Sequence, residues 1–552
     1  MRLLGGRGRG EQQLWEEGLR LLREGKPETL EEAVERHPYL AEYLEKLDRK
    51  PRYYPKLDLA AGVEEPNVLY PLGMGIFVHV ESGSEMGRYN LIEPPAPSRE
   101  ILDAVETEIA RMVASMKRIE IPEDPEGRER VLVNLFNRIK GRVKIPPGEE
   151  EYALYHFLRE KIRHGFLDGF LEDPWLEDIS VPGAGNVFVY HKLFGSLISN
   201  VVVSKEEIDK LLKSIAERYG KVLSYTHPIL DIHLPDGSRF NIVFGEDISL
   251  KGSNFTIRKF SKEPISVAHL CRFGTISEEL AAYMWILLDI GVSCFFCGET
   301  ASGKTTSLNA FLGLVRSDMK IVSIEETPEV NIFHKNWVRE VTRMHTGSNV
   351  TMFDLLKAAL RQRPDYIIVG EIRGEEGRIA FQAIETGHPV ISTMHAGNLG
   401  QLFQRLTSDP INVPKSHIDG LNLTIFQARM ERGTKLVRRV TSVMEIIGYD
   451  AEEGQLNYLP VFLYDADADH LRFLGSSYLM ETKVLPFRGW GRERLPELYE
   501  EMRRRAEIIR CLRERYPSYL DVWRTVIAVE RFGVDPVYER AVEGEPPWIV
   551  EG

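Results

Sequence analysis

The chain has 552 residues, of which 43% are hydrophobic, and its formal net charge is −13. This length suggests about three to four domains, and the hydrophobic fraction is sufficient for packed cores. The acidic balance argues against general adhesion to nucleic acid as the main function, although local basic patches are compatible with it. Four cysteines in so long a chain do not make a disulfide framework and are typical of the reducing cytosol, where ATP is found.

The sequence predicts neither a secretory signal nor a membrane span. Residues 1–10 are rich in glycine and arginine, and no apolar core follows them. The longest apolar stretch, residues 281–297, contains Asp289 and breaks at Gly291. We interpret it as a buried helix followed by a buried strand, so a membrane role would require a partner protein.

Residues 1–145 are predicted to form an accessory region of helices with a short β-rich segment. Amphipathic patterns predict helices over residues 14–23 and 30–47, with Pro38 interrupting the second. Ser98 is expected to cap a further helix whose apolar positions recur at helical spacing. No residue pattern in this region is typical of catalysis.

A second domain is predicted over residues 150–262, after a charged and proline-bearing boundary at residues 120–150. Its alternating pattern, with a turn at residues 235–237, indicates an α+β domain. Arg239 and Arg258 are candidate ligands for nucleotide phosphates, because a guanidinium group matches the geometry of phosphate oxygens. The alternative is that both arginines are solvated strand ends.

The run CGETASGKTT at residues 297–306 is the motif around which the chain is organised. Residues 298–305 match G-x-x-x-x-G-K-[ST], and the apolar run before them predicts a strand, a loop and the start of a helix. Backbone N–H groups, the helix N-terminus and Lys304 together favour a bound anion, while Thr305 is a predicted Mg²⁺ ligand. The alternative is a chance glycine-rich turn. The predicted nucleotide-binding residues are Gly298, Glu299, Thr300, Ala301, Ser302, Gly303, Lys304, Thr305 and Thr306.

A hinge is predicted at residues 262–266, and a P-loop domain follows over residues 263–443. Helical and strand patterns alternate as far as residue 393, which is typical of a parallel sheet with helices on its faces. Residues 444–552 are predicted to form a partly helical C-terminal segment, and their sequence does not indicate a function.

Polar residues follow the predicted strands of this domain, and ligands of open α/β sheets bind at the carboxyl ends of strands. Hydrolysis of a γ-phosphate requires a metal, a group that orients water, and cations. Glu371 follows an apolar strand and is a predicted Mg²⁺ ligand, through water. Glu325 is predicted to align or deprotonate the attacking water, and the alternative is a structural carboxylate that caps a turn. Glu326 is predicted only to support the site. His395 is a candidate nucleotide sensor.

Two arginines of the P-loop domain are candidate cations for the transition state. Arg343 lies in EVTRMH and Arg361 lies in AALRQRPD. The alternative for either residue is a solvated charge at a helix C-terminus. Cys294 and Cys297 form a C-x-x-C, but residues three apart on a strand face opposite sides, so we interpret them as buried strand residues rather than as a metal or disulfide pair.

Four sequence boxes carry a resemblance to a known family. GETASGKTT, IVSIEETPEV, RPDYIIVGEIRG and TGHPVISTMHAGN resemble, in order, the Walker A, Asp, Walker B and His boxes of the secretion ATPase superfamily. That superfamily includes type II secretion, type IV pilus and type IV secretion motors. The similarity extends from LPDGSRFN and FTIRKF to about residue 443, and YPLGMGIFVHV and EDISVPG resemble the archaeal branch that drives archaella and archaeal pili.

The resemblance implies a RecA-like P-loop ATPase domain with a parallel sheet, preceded by an α+β, PAS-like domain and by the additional N-terminal helical and β region. It implies that Glu325 is the catalytic glutamate, Glu371 the Walker B glutamate and His395 the His-box histidine. The Asp box has Glu326 where an aspartate is common, and no tetracysteine zinc module is present in the sequence. The family's arginines near phosphate correspond to Arg343, Arg361, Arg239 and Arg258.

ATP and Mg²⁺ are the implied cofactors, and the implied assembly is a homohexamer that closes and opens around nucleotide. The ring would act on a polytopic membrane platform protein from the cytoplasmic face of the membrane, with no nucleic acid expected. Its work would be assembly of an archaeal-type pilus or archaellum, or protein export. Two alternatives remain: a conjugation-type nucleic-acid translocase and a nucleotide-dependent scaffold without turnover.

Overall fold

The chain forms two compact units, residues 1–261 and residues 262–552. The predicted helix at residues 14–23 and the first two residues of the predicted turn at 235–237 lie outside the described residues. The division into four domains and the PAS-like character of residues 150–262 stay predictions. The computed structural model describes residues 26–57, 63, 65–116, 122, 125–146, 148–234, 237–260, 264–343, 349–433 and 435–550.

The first unit is built on one mixed sheet. Its described helices are α1 (Leu30–Arg36), α2 (Pro38–Glu45), α3 (Arg99–Ser115), α4 (Pro125–Ile139), α5 (Glu150–Lys161), α6 (Asp168–Glu172) and α7 (Lys205–Arg218). Its described strands are β1 (Arg52–Tyr53), β2 (Asn67–Gly73), β3 (Ile76–Glu81), β4 (Gly87–Ile92), β5 (Leu176–Val181), β6 (Gly185–His191), β7 (Gly195–Val203), β8 (Ile229–His233), β9 (Arg239–Val243) and β10 (Asn254–Arg258). The sheet order is β1-β2-β3-β4-β7-β6-β5-β10-β9-β8.

Helix boundaries near the N-terminus follow the proline pattern. α1 ends at Arg36 and α2 begins at Pro38, as predicted, because proline is tolerated in the first turn of a helix. Ser98 occupies the N-cap position of α3, but its side chain makes no capping hydrogen bond, contrary to the prediction.

The accessory region and the α+β domain share one sheet and one core, although the sequence predicts a boundary at residues 120–150. Strand β4 pairs in parallel with β7. The buried carboxylate of Asp173 accepts hydrogen bonds from the hydroxyl groups of Tyr70 (2.6 Å) and Tyr89 (2.8 Å), which come from β2 and β4. A buried carboxylate requires such donors, so these strands are integral to the unit.

The second unit has a sheet that is parallel at one end and antiparallel at the other. Its order is β13-β12-β14-β15-β11-β16-β17-β18-β19, parallel through β16 and antiparallel from β16 onward. The strands are β11 (Cys294–Gly298), β12 (Ile321–Glu325), β13 (Trp337–Val341), β14 (Tyr366–Val369), β15 (Val390–Met394), β16 (Leu423–Arg432), β17 (Lys435–Asp450), β18 (Gln455–Asp465) and β19 (His470–Phe473). The longer described α-helices are α8 (Val267–Arg272), α9 (Glu278–Leu288), α10 (Lys304–Leu312), α11 (Met352–Ala359), α12 (Glu376–Glu385), α13 (Leu399–Thr407), α14 (Leu495–Arg515), α15 (Tyr519–Phe532) and α16 (Val534–Glu543), and a short helix, Leu485–Phe487, precedes α14.

Helices cover both faces of this sheet. Successive side chains of β11 point to opposite faces, and each face packs against helices. Cys294 and Phe296 pack into the core on the face of α9 and α10, while Phe295 and Cys297 pack into the core on the face of α11 and α12. Both cysteines are buried and free, as predicted. A parallel sheet covered on both faces, with a glycine-rich loop after β11, is the predicted RecA-like fold.

The sheet continues beyond residue 443, where the sequence predicts the end of the P-loop domain. That residue lies inside β17, whose antiparallel partners β16 and β18 extend the sheet. The helices that follow pack on the same core as α9, and Arg505 of α14 pairs with Asp289 at the end of α9 (2.8 Å). Residues 444–550 therefore complete the fold of this unit.

The longest apolar stretch of the sequence forms α9 and β11, as predicted. α9 is only 11 residues long, and ten of these are buried. Among the described residues, no helix combines the length and the apolar character that crossing a bilayer requires.

Candidate nucleotide-binding site

The glycine-rich loop between β11 and α10 is the first component of the site. Gly303 is the N-cap of α10 and adopts a left-handed conformation with φ 94°. Ala301 also has a positive φ, 62°, which is uncommon for a residue with a Cβ atom. The first amide groups of α10 have no partner within the helix and are suited to bind an anion.

Strand β16 lies directly against this loop. A Cβ atom at Gly298 would lie 2.2 Å from the carbonyl oxygen of Gln427, and one at Gly303 would lie 2.9 Å from its Nε2 atom. The Oε1 atom of Gln427 accepts a hydrogen bond from Ser307 in α10 (2.8 Å). Gly298 is therefore required by the packing of the β16 backbone against the loop, and Gly303 by its left-handed conformation.

The ammonium group of Lys304 is held inside the loop. Its Nζ atom donates to the carbonyl oxygen of Glu299 (2.9 Å) and lies 3.5 Å from Nδ1 of His395. Burial lowers the pKa of Lys304, and the nearby Glu371 carboxylate opposes that shift. The Oγ atom of Ser302 is buried and has no hydrogen-bond partner among the described residues. A buried cation and an unpartnered hydroxyl in one loop fit a phosphate group.

Glu371 and His395 meet at the carboxyl edge of the sheet. Glu371 follows β14 and His395 follows the adjacent strand β15, which lies between β14 and β11. Nε2 of His395 lies 2.9 Å from Oε1 of Glu371, within ion-pair distance but not aligned as a hydrogen bond. Burial and Lys304 lower the pKa of His395, against the effect of Glu371. The imidazole therefore connects the lysine of the loop to this carboxylate.

Glu325 ends β12 and is almost completely buried, with 1% of its side chain exposed. Its Oε1 atom accepts hydrogen bonds from the backbone N–H groups of Glu329 and Val330, both at 2.7 Å. Burial raises its pKa to about 7, although these two donors oppose the shift. Its Oε2 atom has no hydrogen-bond partner among the described residues, and Nε of Arg339 lies 3.9 Å from it.

The neighbouring carboxylates differ in environment. A Cβ atom at Gly370 would lie 3.2 Å from Cγ of Glu325, so Glu325 packs against the chain that leads to Glu371. Glu326, by contrast, has a side chain that is 58% exposed, and it lies 3.9 Å from the guanidinium group of Arg373. Arg373 also donates a hydrogen bond to Glu371. Burial and position thus favour Glu325 over Glu326 for the water-activating role.

The two candidate transition-state arginines lie at opposite edges of the sheet. Arg343 follows β13 at the carboxyl edge, where the N–H of Thr342 donates to the carbonyl oxygen of Glu325 (3.0 Å). Arg361 precedes β14, and the carbonyl oxygen of the next residue accepts a hydrogen bond from Lys320, which precedes β12. Arg361 is therefore at the amino edge, about 15 Å from the carboxyl edge for a strand of this length. Within one chain, Arg361 is not brought to the glycine-rich loop.

Arg239 and Arg258 belong to the first unit and are cross-strand partners. Arg258 of β10 lies opposite Arg239 of β9 and opposite Asp178 of β5. Both arginines are exposed. Their role as phosphate ligands stays a prediction.

Four residues near the site were not found by sequence reasoning. Arg373 lies two positions after Glu371, and that proximity could have indicated it. Arg339 lies on a neighbouring strand, and Gln427 and Arg438 lie on strands more than 120 residues from the loop, so no local pattern indicates them. The Nε atom of Arg438 donates to the carbonyl oxygen of Ala301 in the loop (3.1 Å).

A hydroxyl group and a carboxylate at this edge are of the kinds of oxygen ligand that Mg²⁺ prefers. Thr305 is the second residue of α10, and with Glu371 it remains the predicted ligand pair. In the described part of the chain, no group of three or more His, Cys, Asp or Glu side chains could hold a metal ion. Mg²⁺ suits such a site because it binds few protein ligands and keeps water and phosphate oxygens.

These observations define a RecA-like protein with polar side chains gathered beside a glycine-rich loop. The family described as type II/IV secretion system protein matches residues 164–425. The uncharacterized protein MJ0900 of Methanocaldococcus jannaschii is 40% identical over 548 residues, which cover 94% of this chain and 98% of that protein. The chain belongs to the type II/IV secretion system protein family and thus to the secretion ATPase superfamily that its motifs resemble.

Two further proteins are similar to parts of this chain. The probable conjugal transfer protein TrbB of Sinorhizobium fredii is 28% identical over 298 residues, covering 52% of this chain and 89% of that protein. Among solved structures, the ATPase DotB of Legionella pneumophila is similar with a TM-score of 0.39 and 18% identity, covering 66% of this chain and 96% of that one.

Proposed function

We propose that the protein hydrolyses ATP as the motor of a type II/IV secretion-like system. One observation carries the proposal. Three side chains lie next to one another at one edge of the sheet. Nζ of Lys304, in the glycine-rich loop, lies 3.5 Å from Nδ1 of His395, and Nε2 of His395 lies 2.9 Å from Oε1 of Glu371. Glu325 is anchored at the same edge, and its Oε2 atom has no hydrogen-bond partner within the described part of the chain. Such a set combines a phosphate-binding cation, a carboxylate for metal and a carboxylate for water.

Each residue has a distinct role in the proposal. The loop N–H groups and Lys304 bind the phosphates, and Thr305 and Glu371 hold Mg²⁺, which when bound neutralises charge on the phosphate oxygens. Oε2 of Glu325 orients the attacking water and accepts its proton, and a pKa of about 7 suits that role at neutral pH. His395 contacts both Lys304 and Glu371, so it is positioned to sense the terminal phosphate.

The arginines supply further positive charge in this proposal. Arg239 and Arg258 lie directly opposite each other on neighbouring strands, so both guanidinium groups could contribute to one phosphate site. Arg343 lies at the carboxyl edge and would act within its own chain. Arg361 lies at the amino edge and would act on the nucleotide of a neighbouring subunit of a homohexamer.

We further propose that the ring works at the cytoplasmic face of the membrane through a polytopic platform protein. Its work would be assembly of an archaeal-type pilus or archaellum, or protein export. The archaeal branch is favoured by the segments YPLGMGIFVHV and EDISVPG and by the similarity to a protein of an archaeon. No nucleic acid is expected as a partner.

The direct test measures ATP binding and phosphate release by the full chain and three variants. We expect Lys304→Ala to lose nucleotide affinity, because the buried ammonium is removed from the loop. We expect Glu325→Gln to bind ATP with Mg²⁺ but to lose about 10²- to 10⁴-fold in turnover. Glu326→Gln is the matched comparison and should retain most of the turnover. Wild-type turnover in Glu325→Gln would refute the assigned role.

A nucleic-acid translocase is the second candidate, because a relative is described as a conjugal transfer protein. The same assay separates the candidates when repeated with single-stranded DNA and, separately, with acidic lipid vesicles that carry the platform protein. Stimulation many-fold by DNA, weakening as salt rises, together with no response to the membrane components would favour the translocase. Tight ATP binding without turnover under all conditions would indicate a scaffold.

A further inference from the structure

The hairpin formed by β16 and β17 extends past the sheet and runs beside the glycine-rich loop. β16 pairs with β11 as far as Gly298, which lies opposite Gln427. Beyond that point, residues 428–432 continue and pair only with β17. In this extension Arg429 of β16 lies directly opposite Arg438 of β17. The loop is therefore flanked by an antiparallel ribbon that carries two arginines.

Arg438 is the arginine of this ribbon whose contacts with the loop the structure describes. The Nε atom of Arg438 donates a hydrogen bond to the carbonyl oxygen of Ala301 (3.1 Å). A Cβ atom at Gly303 would lie 3.1 Å from Cδ of Arg438, so the stem of this side chain lies against the glycine. Arg438 thus spans the segment of the loop from Ala301 to Gly303.

The conformation of that segment requires external support. Ala301 has φ 62°, and a left-handed conformation is unfavourable for any residue with a Cβ atom. A charged donor on its carbonyl oxygen stabilises the peptide in this orientation. Without that donor, the alanine would relax toward ordinary backbone conformations, and the N–H groups of the loop would lose the arrangement that favours an anion.

We propose that Arg438 is a positioning residue for nucleotide binding, which acts through the Ala301 carbonyl to hold the glycine-rich loop in its phosphate-receiving conformation. The proposal rests on the proposed function in one respect, that the loop binds ATP. It does not require that the ATP be hydrolysed. Because the loop conformation is needed equally in the ground state and in the transition state, Arg438 affects binding rather than the chemical step.

The test compares Arg438→Met with Arg429→Ala in the full chain. Methionine keeps an apolar stem against Gly303 but removes the donor, whereas Arg429→Ala removes an equal charge from the opposite strand. We expect Arg438→Met to weaken binding of a fluorescent ATP analogue, and to raise KM, about tenfold, with kcat at saturation within about twofold of the wild type. We expect Arg429→Ala to change the affinity by less than about twofold, since Arg429 lies on the other strand of the hairpin and a surface charge contributes little.

A second pair of variants tests the route through Ala301. Glycine adopts the left-handed conformation without strain, so Arg438→Met should lose less affinity in an Ala301→Gly background than in the wild type. Thermal unfolding of each variant reports any loss of fold separately from loss of affinity.

Unchanged affinity in Arg438→Met, an equal loss in Arg429→Ala, or an equal effect of Arg438→Met in both backgrounds would each overturn the inference. A fall in kcat with unchanged KM also overturns it. Failure of the wild type to bind ATP overturns both this inference and the proposed function. A wild type that binds ATP without turnover, with the expected affinities in the variants, contradicts hydrolysis alone and leaves the role of Arg438 supported.

Discussion

The charge of Arg339 is predicted to set the pH at which Glu325 becomes active. Arg339 lies on β13, and its Nε atom is 3.9 Å from Oε2 of Glu325. Its positive charge lowers the pKa of Glu325, whereas the nearby carboxylate of Glu329 raises it. At this distance two unit charges interact by about 1 to 4 kcal/mol, depending on the effective dielectric constant. Because about a third of the Arg339 side chain is exposed (32%), the lower part of that range applies.

A contribution of about 1.4 kcal/mol corresponds to one pKa unit, so Arg339→Gln should move the pKa of Glu325 from about 7 to about 8. Glu325 accepts a proton in the proposed mechanism, so only its ionised form is active. A higher pKa therefore moves the acidic limb of the kcat profile to higher pH. At pH 7 the ionised fraction falls from about one half to about one tenth, and turnover should fall about fivefold, with recovery by pH 9.

The assay is steady-state phosphate release from pH 5.5 to 9.5 at saturating ATP and Mg²⁺. Arg339→Lys keeps the charge and should shift the limb less than Arg339→Gln. Arg316→Ala removes an exposed arginine that pairs with Asp318 and should leave the profile unchanged. An acidic limb that stays in place in Arg339→Gln, or that moves to lower pH, would refute the reasoning.

Two further predictions concern stability. The pKa of Glu325 is raised from 4.5 to about 7, so the folded state binds the extra proton and stability falls as pH rises through that window. Glu325→Gln cannot ionise, and its free energy of unfolding at pH 8 should exceed that of the wild type by about 3 kcal/mol, a difference that disappears near pH 4. In α14, Arg505→Met should lower the free energy of unfolding by about 3 kcal/mol, because it leaves the Asp289 carboxylate without its ion-pair partner, while Glu501 keeps its pair with Arg488. Arg503→Ala, which removes an exposed pair in the same helix, should change it by less than about 1 kcal/mol. The free energy of unfolding of the wild type and of all three variants is measured by chemical denaturation followed by circular dichroism.

The parallel half of the second unit could be predicted from the sequence because each step is local. An apolar strand followed by a polar residue indicates a side chain at the carboxyl edge, and Glu325, Glu371 and His395 follow that rule. Cys294 and Cys297 follow from the two-residue period of a strand. These local rules are sufficient to bring the three side chains to the edge that carries the glycine-rich loop.

The antiparallel half could not be predicted in the same way. The predicted end of the P-loop domain at residue 443 is where the family resemblance ends, but β17 continues through that residue. Arg438 and Gln427 meet the loop only through pairing of strands distant in sequence. Arg361 is a candidate both as an arginine in AALRQRPD and through the family resemblance, but its position before β14 rather than after it puts it at the opposite edge.

The measurement that tests the central claim most directly is a structure of the full chain with Mg²⁺ and a non-hydrolysable ATP analogue. The account predicts that the triphosphate lies in the loop of residues 298–306, with Lys304 on its phosphates. It also predicts that the carboxylates of Glu371 and Glu325 reach the terminal phosphate or its metal directly or through one water. A triphosphate bound elsewhere, or one with neither carboxylate within reach, would contradict the account.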